Sequence, residues 1–76
     1  MLSLMNAKQC KMARDGLGIT GRDLADLAAV PYPTLARFEA GKNIREDSRA
    51  KLEAALSERG AQFIFGAGRI GATVPE

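Results

Sequence analysis

Seventy-six residues suffice for one domain, and a chain this short buries only about 60% of the surface its unfolded form exposes, so a second subunit would add a useful margin of stability. Apolar residues make up 46% of the chain but form no run near the roughly 18 a membrane span needs, and the first residues lack the basic and apolar regions of a secretory leader; a cytoplasmic protein with no membrane partner is expected. One cysteine, Cys10, and no histidine leave neither an internal disulfide nor an ordinary zinc site, so no metal or cofactor is expected, and 11 basic against 9 acidic residues permit a nucleic-acid partner without demanding one.

Glycine and proline divide the chain into short elements. Asn6 with Gln9 three residues on reads as a capping box opening a first helix, with Cys10, Ala13 and Leu17 on its buried face and Gly16 and Gly18 ending it. Thr20 and Asp23 repeat the signal for a second helix, about Gly21 to Ala28, whose apolar stripe is Leu24, Leu27 and Ala28. Pro31 and Pro33 fit only the start of a third helix, where missing N–H groups cost little; it is expected to run from about Tyr32 to Ala40 and to stop at Gly41. Leu52, Ala55 and Leu56 mark a fourth helix, about Ser48 to Arg59, with Asp47 or Ser48 as its cap and Gly60 as its terminator. Gln62 to Phe65 and Ile70 to Val74 are β-prone runs flanking Gly66-Ala67-Gly68-Arg69, the pattern of a hairpin.

The joint between the second and third helices is the informative feature. Ala25, Ala29, Val30, Leu35 and Phe38 fall where two short helices crossing steeply need a small contact residue, a tight turn and large apolar plugs. At about 100° per residue, burying Leu35 and Phe38 turns Pro33, Ala36, Arg37 and Ala40 outward and leaves Tyr32 on the flank. That face has little bulk and one strong donor. It suits a helix lying in a major groove about 12 Å wide, where an arginine reads guanine bidentately. Lys42, Asn43 and Arg45 follow as a polar loop with donors suited to phosphate.

The residues Ile19-Thr20, Asp23-Leu24-Ala25, Val30, Thr34-Leu35 and Phe38 through Lys42 resemble the phage-repressor or Cro-type helix-turn-helix family, also called XRE, and the likeness covers about residues 6 to 60. It implies a mostly α, compact four-helix domain over residues 1–60, similar to lambda repressor, that places its third helix in the major groove. The family's base-reading positions fall on Tyr32, Pro33 and Arg37, and its phosphate-contacting positions on Thr34, Lys42, Asn43 and Arg45. Arg14 and Glu39 match a structural ion pair tying the first helix to the third. The chain departs from the pattern at Gly21, where a phosphate-contacting glutamine is frequent, at Ala29, where glycine is typical, and at Pro31, which replaces a serine or threonine cap. Glu58 through Phe65 followed by a glycine turn looks like the ending of a subgroup of very short regulators. Because a lone hairpin is marginal in water, residues 61–76 are expected to be a β extension that either packs on the chain's own helices, covering the monomer core, or pairs two subunits through Phe63, Phe65, Ile70 or Val74; the dimer is the favoured reading because it matches a palindromic DNA site.

Other residues have plainer readings. Cys10 is core packing, Lys8 and Lys11 are solvated, and Arg22, Asp23 and Asp26 are surface or capping charges. The tail glycines form no phosphate loop, because no Lys-Ser/Thr pair or helix follows them. Without histidine or a nucleophile–base pair at workable spacing, no enzyme is expected. The expected function is a sequence-specific double-stranded DNA-binding regulator, a repressor acting as a homodimer. Two alternatives stand beside it: a DNA-binding antitoxin whose apolar tail holds a toxin protein, and an interaction module that has lost DNA binding, compatible with the modest net charge and with Tyr32 and Pro33 on the reading face.

Overall fold

A computed structural model describes residues 5–76: four helices, α1 (Ala7–Leu17), α2 (Gly21–Ala28), α3 (Tyr32–Glu39) and α4 (Glu46–Glu58), followed by an antiparallel hairpin of β1 (Gln62–Gly66) and β2 (Arg69–Thr73). Among the described residues, no helix is long and apolar enough to cross a membrane.

Local chemistry sets most of the boundaries. At the start of α1 the Asn6 side chain accepts from the Gln9 N–H at 2.9 Å, and the Gln9 side chain accepts from the Asn6 N–H at 3.1 Å, so two otherwise orphaned donors are satisfied reciprocally. The helix ends on Gly18, at φ 74°, and not on Gly16, which lies inside it. Gly16 is small for a different reason: a Cβ there would come within 3.0 Å of the Val74 side chain. Thr20 and Asp23 form the same reciprocal cap on α2. This helix buries Leu24, Ala25 and Ala28, while Leu27, expected on the stripe, is 45% exposed. At about 100° per residue Leu27 falls beyond one side of the arc, and Ala25 takes its place on the other.

A single left-handed residue, Ala29 at φ 58° and ψ 42°, then turns the chain, with the Val30 N–H donating back to the Ala25 carbonyl at 3.0 Å. Pro31 and Pro33 lie at the start of α3, where no intrahelical N–H is lost. The fourth helix begins at Glu46, two residues before Ser48, and its N-cap is Arg45. Asp47 and Ser48 therefore lie inside the first turn and are not the cap. Glu46 and Asp47 are still favourable there, because the free amides of a helix start attract negative charge.

The core sits between the helices, with Leu24, Leu35, Leu52 and Leu56 among its fully enclosed side chains. The hairpin closes one side of it. Gln62 pairs with Thr73 and Gly66 with Arg69, leaving Ala67 and Gly68 as the loop, both at positive φ (53° and 73°) as a type I′ turn requires. Phe63, Ala72 and Val74 pack against the helical core. Gln9, with no exposed surface, spends its Nε2 donors on the carbonyls of Ile64 and Gly71, each at 3.1 Å. Phe63 and Val74, expected at a subunit interface, thus face this chain's own helices, and Val74 lies beyond the end of β2. Ile70 is half-buried, and Phe65 remains 49% exposed.

Candidate nucleic-acid interface

The position of α3 is set from beneath. Leu35 and Phe38 anchor it in the core, and Glu39, in its last turn, reaches Arg14 on α1 through two parallel bonds: Nε to Oε2 at 2.9 Å and Nη2 to Oε1 at 3.0 Å. The Arg14 and Glu39 side chains are only 14% and 15% exposed, and Arg14 spends a third donor on the Ile19 carbonyl at 3.2 Å. Its hydrogen bonds to Glu39 hold the guanidinium more firmly protonated than usual. The Cys10 thiol donates to the same Glu39 carboxylate at 3.6 Å. Burial first, and the negative charge of Glu39 second, push that thiol up to about 12. Cys10 is therefore an inert donor and not a nucleophile.

With its underside fixed, α3 presents Tyr32, Pro33, Ala36, Arg37 and Ala40 outward. An open groove of about 480 Å³ runs between α3 and the start of α4, lined by Thr34, Arg37, Asn43, Ile44, Arg45 and Ser48. The groove brings together four residues expected to contact DNA: Thr34, Arg37, Asn43 and Arg45. Lys42 is exposed on the loop beside it, where the Gly41 backbone at φ 89° lets the Lys42 N–H close on the Arg37 carbonyl at 3.0 Å. Tyr32 and Pro33 lie outside the groove, at the beginning of α3. No protein-family model matches the chain, and neither does any curated protein.

Charge is distributed unevenly around this surface. Arg45 is paired with Asp47 at 3.2 Å, so its guanidinium is partly neutralised. Arg49, behind the groove, is held by Glu46 and Glu53, and its hydrogen bonds keep the Glu46 carboxyl below the usual carboxylate range. Among the described residues, Arg37 and Lys42 have no acidic partner. The lining offers guanidinium, amide and hydroxyl donors and no carboxylate, an inventory that suits phosphate oxygens and the acceptor edges of bases.

Sequence reasoning takes Arg22 for a surface or capping charge and misses its contact with Tyr32. Arg22, in the first turn of α2, lies over the Tyr32 ring, 4.4 Å from its centroid. Gly21 makes room for that ring, since a Cβ there would come within 3.1 Å of Tyr32 Cε1. Ten positions and a turn separate Arg22 from Tyr32, so no helical spacing announces the pair; the only hint was a glycine opening a helix.

Proposed function

We propose that the chain is a sequence-specific double-stranded DNA-binding regulator of helix-turn-helix type, with α2 and α3 as the two helices and α3 as the one that enters the major groove. The observation that carries this reading is the outer face of α3. It is slim at Pro33, Ala36 and Ala40, it carries Arg37, which forms no ion pair among the described residues, and it borders a groove lined by donors without carboxylates. In the proposed complex Arg37 reads guanine, while Thr34, Asn43 and Lys42 hold phosphates; Arg45 joins them by exchanging Asp47 for a phosphate oxygen. Repression follows from occupying a promoter. Selection from a random pool of duplexes tests the reading: a single enriched palindrome is expected, and absence of binding to any duplex at low salt would overturn it.

A homodimer is part of the proposal. Each strand of the two-stranded sheet leaves one backbone edge unpaired, and β1 carries Ile64 and Phe65, 53% and 49% exposed, on opposite faces of the sheet. Pairing two hairpins edge to edge through β1 across a two-fold axis would flank both residues with the partner's side chains and set two α3 helices against half-sites about 34 Å apart. Sedimentation of a Phe65→Asp variant is expected to show a monomer that keeps its helical content. A variant that remains dimeric would move the interface elsewhere.

A further inference from the structure

We propose that Arg22 is a DNA backbone anchor held ready by the ring of Tyr32, and that Tyr32 acts as its positioning residue and does not itself read a base. The inference rests on the DNA-binding reading above and concerns two residues of that surface.

Along its own helix Arg22 has Asp26 one turn further on, placed to meet it, and Asp23 next to it but facing another direction. Yet among the described residues neither pairs with it: the Asp23 carboxylate accepts the Thr20 N–H at 3.1 Å, and no ion pair joins Arg22 to Asp26. The guanidinium instead lies against Tyr32, 4.4 Å from the ring centroid, and so leans from the first turn of α2 toward the first residue of α3. A cation–π contact of this kind leaves the N–H donors unspent. It also removes much of the rotamer freedom that a long exposed side chain would otherwise lose on binding. Arg14 and Arg49, by contrast, give their donors to carboxylates and are enclosed.

The location selects the ligand. In a helix-turn-helix unit the first helix crosses the sugar-phosphate backbone, while the N-terminal residues of the second approach the base edges. A guanidinium rooted in α2 and resting on the first residue of α3 lies where groove meets backbone. Its planar fork matches a phosphodiester. Gly21 completes the arrangement, because a Cβ there would come within 3.1 Å of Tyr32 Cε1 and shift the ring by a few tenths of an ångström.

The experiment measures affinity against salt for the duplex selected by the wild-type protein and for a random duplex. Arg22→Ala is expected to weaken both by roughly tenfold at 0.1 M salt, to reduce the slope of log K against log salt by about 0.9, and to leave the preferred sequence unchanged. Tyr32→Ala should move both quantities the same way by a smaller amount, the double variant should be no weaker than Arg22→Ala alone, and Tyr32→Phe, which keeps the ring, should behave as wild type. A changed base preference at one position with an unaltered slope would make Arg22 a base reader. Equal losses from Tyr32→Phe and Tyr32→Ala would assign the role to the tyrosine hydroxyl, and losses that multiply in the double variant would separate the two side chains; each result overturns the proposal. If wild type binds and Arg22→Ala is indistinguishable from it, this inference alone falls; if wild type binds no duplex at low salt, the DNA-binding reading falls and takes it along.

Discussion

The two sides of α3 use the same amino acid in opposite ways. Beneath the helix, Arg14 is enclosed and bonded to Glu39 and to the Ile19 carbonyl; above it, Arg37 is exposed and forms no ion pair among the described residues. An enclosed arginine with a matched carboxylate contributes to where the helix sits, because separating the pair would leave a desolvated charge. An exposed arginine without a partner adds little to folding and keeps its donors for a ligand. The difference teaches that arginines in a small basic domain must be sorted by partner and burial before any is assigned to a binding surface.

The lower side is the more sensitive to damage. Because the folded chain holds the Cys10 thiol near 12, against an ordinary value of 9, the unfolded chain ionises first as pH rises. Stability carried by the neutral thiol is complete below pH 9 and is lost as pH climbs toward 12. Denaturant melts across that range should show the extra slope in wild type and lose it in Cys10→Ala; identical slopes would place the thiol in water. Next in size, Glu39→Ala strands Arg14 and should cost about 3 kcal/mol, lowering the thermal midpoint by more than ~10 °C. An unmoved midpoint would abolish the contrast between the two sides.

On the upper side Arg37→Ala should leave stability within about 0.5 kcal/mol and cost about 1 to 3 kcal/mol in binding to a selected duplex. A melting loss as large as that of Glu39→Ala would show that both arginines are structural. The smallest effect concerns the turn between the two helices. Ala29→Gly relieves an alanine held at φ 58° and should raise stability by about 1 kcal/mol, measured by denaturant unfolding, with no change in DNA affinity.

What the sequence made legible was local. Both capping boxes, the extent of α2, the start of α3 and the glycine-bearing hairpin turn depend on residues within a few positions of one another, and their chemistry is complete in the string. Leu27 misled because apolar spacing shows that a stripe exists without showing where its edge falls. Asp47 and Ser48 misled because a favourable first turn and a cap use the same residue types. The Arg14–Glu39 pair spans 25 positions and entered only through family likeness. Arg22 on Tyr32, and Gln9 on the hairpin, join elements that no periodicity connects.

Gln9 also bears on the order in which the molecule completes itself. Its buried amide spans 55 and 62 positions to the Ile64 and Gly71 carbonyls. At synthesis rates of about 5 to 20 residues per second, those acceptors follow it by roughly 3 to 12 seconds. Until then the Gln9 side-chain amide on α1 has only water to bond. The bonds from Gln9 to the hairpin are therefore contacts of long sequence separation, and a large loop must close before either contributes to stability.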